Sequence, residues 1–595
     1  MKILGIHDLH NASAALMIDG TIVTAISEER CTYRKNEMGF PRYAIAKCLD
    51  IAGIKASELD VVAFSSKSVP LHYLKFKREF SFTIRDWLNE QEQYWRPKLF
   101  GEQLNHDDYF NALSQEPRFN EESWYDFTDI PLIAGVEESK TILKKLREVA
   151  MANYFGVAPE ALTCFDHHTC HAYYAYWASP YRDKPVLVFT ADGGGDGCNA
   201  TLSTVTDNRL QEISRNNVTD LARIYRYITL LLSMKIGEHE YKVMGLAPYA
   251  SEYEISKTDK VFKDVFHVVD LMVEYKNRPK DLFFHFREEL ADCRFDGIAG
   301  GVQRMVEEVG MDWFSNVTKN LGISRVVFSG GLSMNVKLNQ EIAKLDTVTE
   351  LYIPASGGDE SLCVGACYKA ASENYNGYTV RHFRNNYVGG DVPRGILLKE
   401  MQKLRGIIIT EQTHRVDVAR LLAQGLVIGR FSGQMEFGAR ALGNRSILAD
   451  PRNVETVEKI NRQVKFRDFW MPFAPTILDS YVHRYLVNPK RTSSDHMTLT
   501  FDVTDEGRTA LHAALHPADG TVRAQILDRE NNEEYFLLIE EFAKLTGVGA
   551  LLNTSFNLHG FPIVSEPEHL IHVFENSDLD AMILDDILVM RKRSS

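Results

Sequence analysis

The sequence opens with residues 1–27, MKILGIHDLHNASAALMIDGTIVTAIS, and this stretch decides the fold class. Its short apolar runs are residues 2–6, 13–18 and 21–27. Runs of this length bounded by turn residues are typical of β-strands, and the pair Asp19-Gly20 is a strong hairpin signal. We therefore predict a three-stranded meander at the start of the chain.

A second part of the chain repeats this pattern. The apolar run 185–190 leads into the small-residue loop 191–197, ADGGGDG, and strand candidates follow at 199–205 and 210–214. Two units of strand, loop, strand, turn and strand indicate an internally duplicated α/β domain. A cleft between the two halves is expected, as in actin-like ATPases and sugar kinases, by analogy at the level of the fold.

The predicted organisation has two α/β domains, as the length of 595 residues favours. The first domain spans 1–371, a polar linker without clear periodicity spans 372–393, and the second domain spans 394–595. Further predicted elements are a strand at 323–329, a helix at 334–345, and second-domain strands at 427–430 and 549–553. The aromatic and charged stretch 71–124 has no counterpart in the repeat, and we interpret it as an insertion beside the cleft.

Composition limits the class of function. A formal net charge of −14 argues against a protein that coats nucleic acid, so small molecules are the expected partners. No apolar run reaches the roughly 18 residues that span a bilayer, and the opening residues lack a secretory signal, so we predict a cytoplasmic protein without a membrane partner. The eight cysteines contain no CxxC pair, which favours reduced thiols.

The sharpest local signal is DHHTCH at residues 166–171. His167 and His171 stand four residues apart and would share one face of a helix. Two imidazoles suit a divalent metal, and one added carboxylate would give the arrangement that suits Fe(II). Asp359 is the candidate carboxylate. The alternative is a hydrogen-bonded histidine cluster inside a helix, and we interpret His168 as structural under both hypotheses.

Glycine loops after apolar strands point to a nucleotide. Residues 191–197 and 329–331 offer backbone N–H groups that can approach phosphate closely. Each loop alone is equally typical of a plain turn, but their position in a duplicated frame favours a binding role. His10, at the first strand-to-strand turn, could reach the same cleft as a base or hydrogen-bond donor, although a lone histidine is more often structural.

The second domain carries cations among glycines and apolar residues. Guanidinium groups bind phosphate oxygens in pairs and a lysine supplies a point charge, so this pattern suits a triphosphate or an acyl phosphate. A solvated charged face is the alternative. The segments 519–523 and 551–557 add polar groups at predicted strand ends, where open α/β sheets bind ligands. The cations are Arg440, Arg445, Lys465 and Arg467.

Taken in order, these motifs resemble the O-carbamoyltransferases of antibiotic and Nod-factor biosynthesis, the family of the tobramycin enzyme. The resemblance spans nearly the whole chain. Its motifs are HNASA at 10–14, EER at 28–30, HHTCHA at 167–172, KVMGLA at 242–247, SGG at 329–331, GD at 358–359, EFGARALG at 436–443, DGT at 519–521 and LNTSFN at 552–557.

The resemblance implies a fold and an activity. The first domain would have the actin-like fold of the tRNA threonylcarbamoyl-transfer ATPases, and the second would be YrdC-like. The second domain would make carbamoyl-adenylate from carbamoyl phosphate and ATP, which is expected with Mg(II). The first, holding Fe(II) or another divalent metal, would pass the carbamoyl group to a hydroxyl of a sugar, polyketide or similar acceptor. A homodimer is compatible with this picture.

The resemblance also implies roles for residues. The metal ligands would be His167, His171 and Asp359, with His10 at the transfer site. Lys465 and Arg523 would be catalytic in activation. The nucleotide or adenylate of the first domain would contact Asp192, Gly193, Gly194, Gly330, Gly331 and Asn335. ATP and carbamoyl phosphate would contact Arg440, Arg445, Lys465, Arg467, Arg523, Asn553 and Ser555.

The chain departs from the family pattern at two places. Asn11 stands where aspartate is common, and Trp470-Met471-Pro472 stands where an Arg-Pro pair is usual. The second departure weakens the case for a phosphate contact from position 471.

Three other functions fit parts of the sequence. Two of them are an actin-like sugar or polyol kinase and an ATP-switched interaction protein. Both would use the glycine loops, but neither explains the basic motifs of the second domain. A tRNA-modifying threonylcarbamoyl transferase is disfavoured by the acidic charge. The acceptor itself is not encoded in a motif. Aromatic residues of the insertion would either stack on it or pack a local core: Tyr73, Trp87, Tyr94, Trp95 and Tyr109.

Overall fold

The chain forms two compact units. The computed structural model describes residues 1–101, 107–119, 123–131, 133–374, 379–465 and 468–592. Residues 1–28 and 36–384 belong to the first unit, and residues 29–35 and 385–595 belong to the second. The short segment 29–35 therefore packs with the second unit. The predicted domain boundaries at 371 and 394 placed this segment in the first domain.

The first sheet of the first unit contains the predicted meander. Its five strands are β1 (Lys2–His7), β2 (Ser13–Ile18), β3 (Thr21–Ser27), β4 (Val61–Ser65) and β5 (Leu162–Phe165). They lie in the order β3-β2-β1-β4-β5, with an antiparallel meander followed by two parallel strands. Five of the six residues of β1 are buried, as expected for a strand covered on both faces.

The second sheet repeats the first. Its strands are β6 (Val186–Gly195), β7 (Cys198–Thr206) and β8 (Arg209–Asn216), and, after a separate hairpin of β9 (Phe266–Val269) and β10 (Met272–Tyr275), β11 (Arg325–Ser329) and β12 (Glu350–Tyr352). The order β12-β11-β6-β7-β8 again combines an antiparallel meander with two parallel strands. The duplication inferred from the sequence is therefore present in the sheet topology.

Two helices of the first unit meet with their backbones in contact. A Cβ on Gly365, in the helix Leu362–Glu373, would lie 1.9 Å from the carbonyl oxygen of Cys170. Cys170 belongs to the helix His167–Ala178. A Cβ on Gly5 of β1 would likewise lie 1.9 Å from the carbonyl oxygen of Cys363. These glycines let the helix Leu362–Glu373 approach both neighbours, which brings the turn before it to the start of the histidine helix.

The remaining helices of the first unit cover its sheets and build the insertion. None of the helices in the described ranges is long and apolar enough to cross a membrane. The remaining α-helices of the first unit are Arg42–Ala52, Leu71–Lys75, Arg78–Ser81, Ile84–Glu90, Arg96–Phe100, Asp107–Leu113, Val136–Phe155, Leu221–Leu231, Glu240–Leu246, Glu252–Phe262, Phe284–Glu289, Phe295–Leu321 and Val336–Lys344. The short helix Glu28–Thr32 begins at the last residue of the first stretch of this unit and continues into the segment 29–35 of the second unit.

The aromatic insertion has a core of its own. Trp87 and Tyr94 are buried with Phe76, Phe82 and Phe110, against residues of the first unit such as Phe283. Trp87 and Tyr94 therefore pack a local core, the second of the two alternatives given for the aromatic residues. Because they are buried, their rings are not exposed for stacking on a ligand.

The second unit is built on one mixed eight-stranded sheet in the order β13-β20-β19-β14-β15-β18-β16-β17. The predicted strands at 427–430 and 549–553 correspond to β14 and β18. The strands are β13 (Ile407–Thr410), β14 (Ile428–Phe431), β15 (Arg445–Ala449), β16 (Ala474–Leu478), β17 (Gln525–Leu527), β18 (Ala550–Ser555), β19 (Ala581–Leu584) and β20 (Ile587–Arg591). The helices are Arg394–Met401, Arg415–Ala423, Val454–Ile460, Val482–Tyr485, Asp505–Ala510, Glu533–Thr546 and Pro567–Glu575.

Candidate metal and substrate sites

The histidine motif forms the start of a helix, as its spacing predicts. Asp166 caps the helix His167–Ala178, and its Oδ1 accepts a hydrogen bond from the backbone N–H of Thr169 at 3.0 Å. Asp, Ser, Thr and Asn are the residues that satisfy the free N–H groups of a first turn. His167 and His171 are both buried on the same face of this helix.

Two carboxylates converge on these imidazoles. Asp359 comes from the turn before the helix Leu362–Glu373, and Asp192 comes from the end of β6. His171 Nε2 lies 3.1 Å from Asp192 Oδ2 and 3.5 Å from Asp359 Oδ1. His167 Nε2 lies 3.7 Å from an oxygen of each carboxylate. One donor atom of each residue lies within 4.8 Å of all the others, so the four side chains could hold one metal ion.

Asp192 is a ligand candidate that the sequence did not single out as such. It was assigned to a nucleotide-binding loop, whereas β6 continues through it to Gly195 with an irregularity between Ala191 and Gly195. The signal available in the sequence was an aspartate directly after a buried apolar strand. Only the second sheet places that strand end beside the histidine helix.

The electrostatics of the group suit a cation. Burial opposes protonation of His167, but the carboxylates of Asp359 and Asp192 prevail and raise its pKa to about 9. Burial also opposes the charged form of Asp192, yet both histidines stabilise it and hold its pKa well below the usual range. Burial and the neighbouring imidazoles lower the pKa of His168 to about 3. His168 bonds Thr190 Oγ1 at 2.8 Å, which is a structural role.

The surroundings of His167 also fit a metal. Its Nδ1 is hydrogen-bonded to Ser66 Oγ at 3.1 Å. Its Nε2 is buried and has no hydrogen-bond partner among the described residues. A Cβ on Gly195 would lie 2.2 Å from His167 Cγ, so only glycine leaves room for this ring. A histidine held through one nitrogen presents the other to a metal, and the donor set of two imidazoles and two carboxylates suits a divalent transition metal.

His10 lies near this group without joining it. Its carbonyl oxygen is 2.9 Å from His7 Nε2, and His7 Nε2 is 3.9 Å from Asp359 Oδ2. Burial lowers the pKa of His7 to about 4, although Asp359 acts in the opposite direction. His7 is therefore neutral, and it lies between the turn that carries His10 and the carboxylate of Asp359.

The nucleotide-site candidates of the first unit fall into two groups. The N–H of Gly331 donates to Asp192 Oδ2 at 3.1 Å, and a Cβ on Gly330 would lie 2.3 Å from the carbonyl oxygen of Ala191. The loop of Gly330 thus packs on the strand end that carries Asp192, Gly193 and Gly194. Asn335 instead caps the helix Val336–Lys344 and exchanges two hydrogen bonds of 3.0 Å with Gln303, so its amide already serves the fold.

In the second unit, Lys465 is buried among oxygen atoms of β18 and the residues after it. Its Nζ donates to the carbonyl of Ser555, to Ser555 Oγ at 3.1 Å, and to the amide oxygen of Asn557. Ser555 Oγ also donates to Asn557 Oδ1 at 2.7 Å. Two predicted residues, Lys465 and Ser555, therefore lie together, and Asn557 joins them.

Asn553 lies in the same strand, β18, two residues before Ser555. Its amide nitrogen donates to Thr476 Oγ1 at 3.0 Å and to the carbonyl of Ala441 at 3.3 Å, while its buried Oδ1 has no hydrogen-bond partner in the described part of the chain. Gln525 donates to the carbonyl of Leu442 at 3.3 Å. Asn553 and Gln525 therefore both contact the turn that directly follows Arg440. Gln525 lies two residues after Arg523, and both arginines are half-buried.

Arg445 contacts backbone oxygen atoms of its own turn, and its predicted contact with ATP or carbamoyl phosphate stays a prediction. Its guanidinium is buried and donates to the carbonyl oxygens of Ser432, Gly433, Asn444 and Gly390 at 2.9–3.3 Å. These bonds occupy both terminal nitrogens, while the buried Nε has no hydrogen-bond partner among the described residues. Burial lowers its pKa to about 10. The structure thus uses Arg445 to hold the turn between β14 and β15, and Arg467 lies outside the described residues.

Comparison with known proteins decides the family. Residues 2–368 match the family described as carbamoyltransferase N-terminus, and residues 419–591 match the one described as carbamoyltransferase C-terminus. The chain belongs to the carbamoyltransferase family. As an enzyme of this family it transfers a carbamoyl group, in agreement with the resemblance carried by its motifs.

Relatives match this carbamoyltransferase along most of its length. An uncharacterized protein of Methanocaldococcus jannaschii, MJ1051, is 29% identical over 99% of both chains. The nodulation protein NolNO of Sinorhizobium fredii is 26% identical over 99% of this chain and 80% of its own. Among solved structures, component A of (R)-2-hydroxyglutaryl-CoA dehydratase from Acidaminococcus fermentans covers 62% of this chain and 99% of its own, at 13% identity and a TM-score of 0.31.

Several residues around the sites of the carbamoyltransferase were missed by the sequence reasoning. Ser66 and Asn557 are small polar residues whose partners are remote in sequence. Glu436 Oε1 accepts three backbone N–H groups, from Leu442, Asn444 and Arg445, which organises the turn of the EFGARALG motif. Only Glu436 and Asn557 carried a signal, because both lie inside quoted motifs.

Proposed function

We propose that the chain is an ATP-dependent O-carbamoyltransferase that works in two steps, one in each unit. The repeated sheet order of the first unit is the topology expected of an actin-like domain, and it supports assigning that fold. The mixed sheet with its buried lysine is compatible with a YrdC-like second unit. The acceptor in this proposal is a hydroxyl of a small molecule.

Activation is assigned to the second unit. Carbamoyl phosphate and water give carbamate and phosphate, and a carbamate oxygen then attacks the α-phosphorus of ATP. The bond from that phosphorus to the bridging oxygen breaks, which yields carbamoyl-adenylate and pyrophosphate. Lys465 can exchange its contacts with Ser555 and Asn557 for phosphate oxygens, because all of these partners are neutral acceptors. Its charge would then stabilise the leaving phosphate.

Transfer is assigned to the first unit. The acceptor hydroxyl attacks the carbamoyl carbon, the bond between that carbon and the adenylate oxygen breaks, and AMP leaves. His10 is the candidate to accept the hydroxyl proton, since its Nε2 has no hydrogen-bond partner in the described ranges. His167, His171, Asp192 and Asp359 would hold a divalent metal, which would polarise the carbamoyl carbonyl or fix the adenylate phosphate.

The convergence of those four side chains carries the proposal. They come from three separate stretches of the chain, yet their donor atoms lie within 4.8 Å of one another. A chain that served only as a kinase would need phosphate-binding loops but no such set of imidazoles beside them. A reactive adenylate also favours two sites in one protein, because it is lost to water when released.

The decisive experiment measures pyrophosphate release by the purified chain with ATP and carbamoyl phosphate. Mass spectrometry detects carbamoyl-adenylate in the same sample. We expect both products, and we expect Lys465→Ala to reduce pyrophosphate release by at least about 100-fold because the leaving phosphate loses its counter-charge. His167→Ala should keep pyrophosphate release within about twofold while losing bound metal and transfer.

Lys544→Ala is the matched control, since Lys544 lies exposed on the second unit and pairs only with helix neighbours in the described structure. It should behave like the wild type. Formation of ADP in place of pyrophosphate would contradict the proposal and favour the kinase. Full transfer activity in a metal-depleted His167→Ala variant would contradict the role of the metal.

A further inference from the structure

The loop between β6 and β7 carries a carboxylate that belongs neither to the metal candidates nor to the substrate candidates. Gly195 pairs with Cys198, so the loop consists of Asp196 and Gly197 alone. Both residues have positive φ, 52° and 77°. Two-residue loops of this kind favour Asp-Gly and Asn-Gly, so the turn explains a small polar residue at position 196 but requires nothing of its carboxylate. A phosphate-binding loop does not explain it either, since a carboxylate repels phosphate.

The carboxylate of Asp196 accepts hydrogen bonds from two remote parts of the chain. Its Oδ1 accepts the backbone N–H of Ser68 at 2.7 Å, that of Lys67 at 2.8 Å, and the hydroxyl of Ser68 at 3.1 Å. Its Oδ2 accepts the backbone N–H of His167 at 2.8 Å and shares that of Lys67 at 2.9 Å. Both oxygens of one side chain thus connect the loop after β4 with the histidine helix.

These two segments are the ones that hold the imidazole of His167. Lys67 and Ser68 directly follow Ser66, whose hydroxyl lies 3.1 Å from His167 Nδ1. His167 is the first residue of its helix, and its N–H is among those that find no partner inside the helix. Asp196 therefore joins the loop to the helix at the point where Ser66 meets the ring.

The charge of Asp196 strengthens this connection. Hydrogen bonds to an ionised acceptor are roughly twice as strong as neutral ones, and a negative charge at the start of a helix is further stabilised by the helix dipole. Asp166 also lies at this helix end, but its carboxylate is paired with Arg215 at 3.3 Å and caps Thr169. Asp166 therefore holds the helix alone, whereas Asp196 holds the helix and the serine loop together.

We propose that Asp196 is a positioning residue for carbamoyl transfer. Its carboxylate fixes Ser66 relative to the start of the histidine helix, so that His167 presents Nε2 to the metal. This inference rests on the proposed function, because it needs the metal assigned there, and it deepens that function by a residue that is not itself among the four ligand candidates.

Asp196→Asn separates the turn from the carboxylate. Asparagine adopts the same backbone conformation and suits the same loop. Its amide group, however, donates where one of the two oxygens accepts, so an N–H of Lys67, Ser68 or His167 loses its acceptor. We expect the variant to bind Co(II) about tenfold more weakly, the effect of disturbing the support of a metal-bound histidine. The visible absorption of bound Co(II) should also shift, because the ligand geometry changes.

The measurement is an anaerobic titration of the purified full chain with Co(II) against a competing chelator, without ATP or carbamoyl phosphate. Asp207→Asn is the matched control. Asp207 begins the two-residue loop between β7 and β8, has a φ of 52° like Asp196, and is exposed. It should leave the affinity and the absorption spectrum unchanged. Circular dichroism identifies a variant that fails to fold, and Asp196→Gly, which suits the turn but lacks the carboxylate, then takes the place of Asp196→Asn.

A double variant tests whether Asp196 acts through Ser66. If it does, Ser66→Ala combined with Asp196→Asn should weaken Co(II) binding less than the product of the two single effects, because both changes remove the same support. Single effects that multiply would overturn the inference. So would an Asp196→Asn variant that unfolds at lower urea concentration but keeps the affinity and spectrum of the wild type, since the carboxylate would then serve the fold alone.

The outcome for the wild type separates this inference from the proposed function. A wild-type chain that binds Co(II), together with unchanged binding in the variants, overturns only the role of Asp196. A wild-type chain that binds no Co(II) overturns the metal assignment and the role of Asp196 with it. Pyrophosphate release is measured independently of the metal titration, so the activation step is judged separately in both cases.

Discussion

At the scale of single residues, Ser66 orients the imidazole of His167. Ser66 is buried and holds a left-handed backbone conformation with φ of 76°, which is unfavourable for a residue with a side chain. Its carbonyl accepts a hydrogen bond of 2.8 Å from Arg147, and Arg147 forms a paired contact with Asp8 at 2.6 and 2.7 Å. This buried ion pair fixes the serine so that its hydroxyl meets His167 Nδ1.

We expect Ser66→Ala to weaken divalent metal binding by about 10- to 100-fold, the usual effect of removing a partner that orients a metal-bound histidine. Anaerobic titration of Fe(II) or Co(II) against a competing chelator measures the affinity. Ser256→Ala, at an exposed helix position, should leave it unchanged. Equal affinities in the two variants would show that the hydroxyl does not orient the ring.

At the scale of elements, the packing of two helices sets the distance between the histidines and Asp359. Gly365 lets the helix Leu362–Glu373 contact the helix His167–Ala178 with its backbone. An added methyl group would lie against the carbonyl of Cys170, a group that cannot rotate away. The helices would have to separate, and Asp359 would move away from His167 and His171.

Gly365→Ala should therefore lower the free energy of unfolding by about 3 kcal/mol, near the upper end for overpacking a buried contact. Gly395→Ala provides the matched comparison, since Gly395 lies in a helix with open space around it. That substitution should raise stability by about 0.5–1 kcal/mol because alanine favours the helix. Urea unfolding measured for both variants decides the point, and effects of the same sign would contradict the packing argument.

At the scale of the whole molecule, the first unit is interrupted by seven residues that belong to the second. In the segment 29–35, Tyr33 stacks on His569 with ring centroids 3.8 Å apart, and Arg30 donates to the carbonyl of Gly438 at 3.2 Å. Ser565 Oγ donates to the carbonyl of Arg30. The second unit is therefore incomplete without a piece of chain that precedes most of the first.

Tyr33→Ala should loosen the second unit locally. Loss of the stacking contact costs about 1 kcal/mol, which corresponds to roughly fivefold faster amide exchange near Phe561 and His572. Hydrogen exchange followed by mass spectrometry measures this. Tyr253→Ala removes a tyrosine that is 68% exposed and should change nothing there. Unchanged exchange in the Tyr33 variant would mean that the segment does not stabilise the unit.

The sequence by itself determined the elements and the local spacing. The meander, its repeat, and the pairing of His167 with His171 follow from apolar periodicity and from the helical repeat, which act over a few residues. The motifs determined the family. The sequence did not predict that Arg445 is buried in its own turn. An arginine that binds phosphate and one that binds carbonyl oxygens have the same local sequence pattern.

Only the tertiary structure decided which groups meet. Asp192 joins the metal candidates, Asp196 contacts both Ser68 and His167, and segment 29–35 joins the second unit because sheet order and close helix packing bring together residues that are far apart along the chain. Such contacts depend on the register of whole elements and on small residues such as Gly195 and Gly365 at their crossings. Local patterns encode periodicity but not the register between distant elements. For that physical reason the sequence predicted the type of chemistry but not the full set of residues that form each site.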